Sequence, residues 1–154
     1  MELPRYELSA EDSLKLFEFI SEGPKGKVSK LVSYKPTNLA GVYNLAFGDR
    51  NPETGNLNDI SVSNNGDREK ILATVVDTVY IFTDKYPENW VYASGSTNAR
   101  TRLYRMGITK YLNIIQKDFE IYGLRNNVWE RFEKDKEYEA FVARRKRRKF
   151  NHGI

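Results

Sequence analysis

A chain of 154 residues, 40% hydrophobic and 30% charged, is expected to form one soluble domain with a core of its own; zero cysteines and a single histidine, His152, exclude disulfides, thiolate zinc sites, a cysteine nucleophile and a multi-histidine metal centre. The best apolar run, Ile71 to Phe82, is broken by Asp77, and the acidic start MELPRYELSAED lacks the apolar segment of a signal peptide, so a cytoplasmic protein without membrane contact is expected. The net charge of +4 comes from Arg144–Lys149; without those six cations the balance is 19 basic against 21 acidic, so a slightly acidic body ends in a basic tail.

Leu14 to Ser21 and Lys27 to Tyr34 are rich in aromatic and β-branched residues and flank a Gly-Pro-Lys-Gly turn, which predicts a β-hairpin. Val42 to Phe47 is a third predicted strand. A stretch dense in turn formers, Gly48 to Gly55, returns the chain to a fourth, Leu57 to Val62. Helical spacing of Ile71, Leu72, Val75, Val76, Val79 and Phe82 predicts a helix opened by Asp67 and closed before Pro87. Trp90 to Ala93 is a short fifth strand. A second helix follows with Ser96 or Thr97 as its N-cap, and Gly107 is expected to end or bend it, leaving Thr109 to Lys117 as a further turn or connector. Phe119 to Tyr122 and Val128 to Phe132 predict a second hairpin around Leu124–Asn127, and Tyr138 to Ala143 is a last strand or a short helix, with strand preferred. The sum is a single α+β domain over residues 1–143, a mostly antiparallel or mixed sheet with two main helices, followed by a tail over 144–154. The expected core is Phe17, Phe19, Val28, Leu45, Phe47, Ile60, Leu72, Val75, Val76, Val79, Val91 and Leu103. Trp90, Trp129 and the ten tyrosines are read as core and sheet-face residues.

The most unusual stretch is Ser94 to Arg105, SGSTNARTRLYR. At 100° per residue Ala99, Leu103 and Met106 share the face expected to pack on the sheet, Arg102 and Arg105 lie opposite, and Arg100 and Tyr104 share a flank. Free N–H groups at the helix start, the hydroxyls of Ser96 and Thr97, and the guanidiniums of Arg100, Arg102 and Arg105 suit a phosphate or carboxylate. The plainer alternative makes Ser-Thr a cap and the arginines a solvated face. The chain contains neither a Walker A loop nor GxGxxG. Arg144, Arg145, Lys146, Arg147, Arg148 and Lys149 form the second candidate, a contact for nucleic acid or an acidic partner protein; a chain ending at Ala143 is expected to fold normally.

The words FEFISEGPKGKVSKLVSY, VYNLAFGD, NNGDREKILATV and YASGSTNARTRLYRMGITKYL resemble a family of small bacterial proteins classed as a domain of unknown function, over nearly the whole chain. That resemblance implies a compact bacterial protein and brings no activity. The order VYNLAF, LNDISV, helix, WVYA and NARTRLYRMGI is also similar to the core of the GNAT acyl-CoA N-acetyltransferases. This second resemblance implies acetyl-CoA as cofactor and Tyr104 as the acid that protonates the departing thiolate. Ile108 stands where that signature has phenylalanine, and the segment matching the pyrophosphate loop, Asn64 to Glu69, carries Asp67 and Glu69. The expectation for function is therefore an anion- or partner-binding module needing no cofactor, with a GNAT-like acyltransferase as the alternative.

Overall fold

The computed structural model describes residues 4–58, 64–95 and 97–147. β2 (Leu16–Gly23) and β3 (Gly26–Pro36) form the first hairpin, Gly23 opposite Gly26. Gly26 has φ +83°, a conformation open to glycine without strain, so the turn closes in two residues. A short β1 (Ser9–Ala10), which the sequence pattern does not announce, pairs with the outer edge of β2. β4 (Val42–Arg50) runs antiparallel to β3, and β5 (Leu57–Asn58) folds back on Asp49 and Arg50. The remainder of the expected fourth strand, with Ile60, lies outside the described residues.

α1 (Arg68–Lys85) carries the chain across to β6 (Trp90–Ala93), which pairs in parallel with Val42–Asn44 of β4. α2 (Asn98–Ile115) follows, then β7 (Phe119–Arg125), β8 (Val128–Arg131) and β9 (Ala140–Arg145). β9 inserts between β6 and β7, so the sheet order is β1-β2-β3-β4-β6-β9-β7-β8, with β5 on β4. One parallel pair in an otherwise antiparallel sheet, with two helices, makes this a single α+β domain of the mixed kind. The β7–β8 turn is Asn126-Asn127, both at positive φ (51° and 63°), the two-residue geometry whose twist matches the strands it joins.

Both helices pack on one face of the sheet. Phe17, Phe19, Val32, Tyr34, Leu45, Phe47, Val91, Phe119, Ile121 and Phe141 point into this layer and are buried. α1 meets them with Ile71, Leu72, Val75 and Phe82, and also with three threonines, Thr74, Thr78 and Thr83. Their hydroxyls donate to the carbonyls of Lys70, Val75 and Val79 at 2.7 Å, which satisfies the polar atom and leaves a methyl for packing. The threonines displace two of the expected core valines: Val76 and Val79 are half-buried at the rim, as are Val28 and Leu103.

The face of α2 differs from expectation. Its buried stripe is Arg100, Tyr104, Gly107, Tyr111 and Ile115; Ala99 is exposed and Leu103 and Met106 are half-buried. The helix is turned toward its tyrosines because they carry more apolar surface than Ala99 or Met106. Gly107 neither ends nor bends it. A Cβ there would stand 3.2 Å from a methyl of Leu72, so the glycine is where α2 approaches α1. With that approach made, the helix runs on through Thr109 to Ile115.

Candidate functional site

The starts of α1 and α2 converge on Phe47 of β4 and enclose a pocket of about 290 Å3, lined among others by Asp67, Arg68, Thr97, Arg100 and Leu103. Thr97 is the N-cap of α2; its Oγ1 accepts from the Arg100 amide at 3.2 Å. The Thr101 hydroxyl donates to the Thr97 carbonyl and accepts from the Gly95 amide at 3.0 Å, which fixes the approach to the helix. Gly95 has no room for a side chain: a Cβ would lie 2.3 Å from the Thr101 nitrogen. Arg100 is buried to 4% exposure, its guanidinium 5.9 Å from the centre of the Phe47 ring.

The opposite wall is acidic. Asp67 precedes α1 and forms no side-chain cap bond. One carboxylate oxygen instead accepts from the Tyr6 and Ser21 hydroxyls, both at 2.5 Å, and the other is buried without a hydrogen-bond partner among the described residues. Burial, and then the bond to Asp67, push the Tyr6 phenol above its ordinary value. Asn65 locks this corner to the first hairpin, donating to Ser21 and to the Gly26 carbonyl and accepting from the Lys25 amide at 2.7 Å. The pocket thus sets the positive start of α2, with Thr97 and the buried Arg100, against Asp67 at the start of α1, an arrangement suited to a ligand that has both an anionic group and a donor.

Of the predicted anion residues, Thr97 and Arg100 line this pocket, while Ser96 lies outside the described residues. Arg102 and Arg105 do not join them. They line a separate groove with Arg125 and the acidic loop Asp135–Glu139, where Arg105 is 4.0 Å from Glu137. Tyr104 is buried on the sheet side of α2, at an apolar cavity of about 110 Å3 that it shares with Leu45 and Val91. Sequence reading missed Tyr6 and Ser21, which reach Asp67 only through the fold, since no local motif links positions so far apart, and Asn65, whose partners Ser21, Lys25 and Gly26 lie on the first hairpin. It also missed Lys30, which has no exposed surface and forms an ion pair with Asp49.

The basic run divides as well. Arg144 and Arg145 belong to β9, opposite Glu120 and Phe119. Arg144 bonds Glu120 at 3.2 Å and lies over Trp90, 4.5 Å from the ring centre. Arg145 bonds Asp84, Thr83 and the Tyr80 carbonyl at the end of α1, where a cation complements the helix dipole. Lys146 and Arg147 are exposed, and Arg148 and Lys149 lie outside the described residues. α2 begins beyond the Ala93 end of β6, whereas Arg144 stacks at its Trp90 end, so the arginine helix and the basic end occupy opposite ends of the strand. Ending the chain at Ala143 therefore removes ladder pairs and the Arg145 anchor. That truncation should lower the melting temperature by several degrees in calorimetry, whereas one ending at Arg147 should melt like the parent.

No helix among the described residues is long and apolar enough to cross a membrane, and no group of His, Asp or Glu among them could hold a metal ion. No curated protein and no solved structure matches the chain. A family model matches residues 2–146. The chain accordingly belongs to DUF6934, a family of unknown function.

Proposed function

We propose that this protein is a binding module that takes a small phosphate- or carboxylate-bearing molecule in the pocket between the starts of α1 and α2. The observation that carries this reading is a pocket at the positive end of α2, lined by the cap residue Thr97 and the buried Arg100. Asp67, across the pocket, favours ligands that also bear a hydroxyl or amine over bare inorganic phosphate.

The test is a thermal-shift series with inorganic phosphate, nucleoside phosphates and acetyl-CoA on the parent and on Ala99→Glu. Ala99 lines the pocket, is exposed and sits in the first turn of α2, where an acidic residue suits the helix. The variant should melt at or slightly above the parent temperature and lose the ligand-induced rise. Equal rises in both proteins would place the ligand elsewhere.

The order β4, β5, α1, β6, α2 supports a second reading, a GNAT-like acyltransferase using acetyl-CoA with Tyr104 as its acid. Two features favour the binding module. The Tyr104 side chain lies in the core, and β5 pairs along the edge of β4 that β6 uses further back. Stabilisation by acetyl-CoA, competed by free CoA and accompanied by acetyl transfer that Tyr104→Phe abolishes, would reverse this preference.

A further inference from the structure

Both tryptophans of the chain, Trp90 and Trp129, lie on the face of the sheet that carries no helix. The alternation fixes this: Val91 and Ala93 of β6 point into the core, so Trp90 and Tyr92 point away, and the strand registers put Tyr122, Leu124, Trp129, Arg131, Val142 and Arg144 on the same side. The four rings form two contacting pairs, Trp90 with Tyr122 at 6.0 Å and Tyr92 with Trp129 at 6.2 Å between centroids. Trp90 and Tyr92 are two residues apart on one strand, which sets the pairs about 6.6 Å from each other. Trp129 sits on the edge strand, 42% exposed.

Charge on this face is one-sided. Among the outward-facing residues of β6, β9, β7 and β8 the only acid is Glu120, and Arg144 holds it. Arg144 also covers Trp90, Arg131 is exposed beside Trp129, and the exposed Lys146 and Arg147 continue β9 at the Trp90 end.

We propose that this aromatic face docks a single-stranded nucleic acid. Its bases stack on the exposed Trp129 and on Tyr92 and Tyr122 of the same face, and its phosphates meet the exposed Arg131, Lys146 and Arg147. The pairs are tilted by 55° and 72°, so the exposed Trp129 is the ring that offers its π-face to an unpaired base, whereas a duplex hides its bases and offers only phosphates. The net positive charge of the patch selects a polyanion over a second copy of the chain, which would bring the same cations against it. This platform is separate from the pocket at α2, and the two proposals stand or fall independently.

The full chain is titrated at low salt with a single-stranded oligothymidine and with a duplex, following tryptophan emission and the anisotropy of a labelled strand. Because both tryptophans belong to the platform, the single strand should quench emission saturably and bind better than the duplex. Affinity should fall with salt, by about 0.7 in log–log slope per phosphate contact. Trp129→Ala should weaken binding about fivefold or more. Arg131→Glu, a change at an exposed position, should weaken it while the melting curve stays that of the parent. The proposal is overturned by silence of both readouts at low salt. Binding without quenching, or binding indifferent to Trp129→Ala and Arg131→Glu, overturns it too, since the basic end alone would then hold the strand. A concentration-dependent dimer in sedimentation that blocks the oligonucleotide would assign the face to a second copy instead.

Discussion

Replacing Arg100 with alanine is expected to cost about 3 kcal/mol of stability, within the range for truncating a large buried side chain. For a chain of this length that corresponds to a melting temperature lower by about 6–12 °C. Arg100 has 4% of its surface exposed and stacks against Phe47. The space it fills was left by a glycine: a Cβ on Gly48 would stand 2.8 Å from the Arg100 Nη2 and 2.2 Å from the Asn58 carbonyl. Gly48→Ala should be damaging as well, and Arg100→Ala should relieve only part of that damage, because the added Cβ meets the Asn58 backbone as well as the guanidinium. Arg100→Lys should recover little, since an ammonium has no flat surface to lay on a ring. A variant melting within a degree of the parent would show that the guanidinium is not part of the packing. Loss of ligand binding in Arg100→Ala is uninformative by itself, and the exposed Ala99→Glu change separates binding from folding.

Lys30→Met is the second large effect. Lys30 is fully buried in β3 and forms its ion pair with Asp49 of β4, which is itself mostly covered. Removing the ammonium leaves a carboxylate with poor access to water, and breaking such a pair costs about 3–5 kcal/mol. Exchanging both partners for apolar side chains leaves no stranded charge, so Lys30→Met with Asp49→Leu should recover most of the loss. Denaturant unfolding of the two single variants, the double variant and the parent measures this coupling. A double variant as unstable as the sum of the singles would mean that the pair contributes through packing rather than charge.

Where the sequence carries a local period, its reading and the structure agree. The Gly-Pro-Lys-Gly turn, the Asn126-Asn127 hairpin, α1 up to Pro87 and the Thr97 cap each follow from residues a few positions apart. The orientation of α2 was not legible. Ala99, Leu103 and Met106 form the more apolar stripe by residue type, yet the helix buries Arg100, Tyr104 and Tyr111. Burial of an arginine depends on the Phe47 ring and on the room left by Gly48, both more than 50 positions away. Gly107 reads as a helix stop until the Leu72 methyl is placed beside it. The basic run reads as a tail because charge alone marks it. Its first two arginines join the sheet because Glu120, Asp84 and two aromatic rings wait for them on other elements. The site shows the same division. Thr97 and Arg100 could be named from the helix start, whereas the Asp67 wall, built with Tyr6 and Ser21, exists only after the hairpin and α1 have docked.

The pocket at the start of α2 is the central claim, and a titration followed by amide resonances tests it most directly. Nitrogen-15-labelled protein is titrated with a nucleoside phosphate, and shifts are mapped along the backbone. The amides of Thr97 to Arg100 and of Phe47 should move first and saturate together, since the pocket lies between them, and Ala99→Glu should abolish those shifts. Resonances of this segment that stay fixed while others respond, or a protein that answers to no phosphate or carboxylate ligand, would contradict the account.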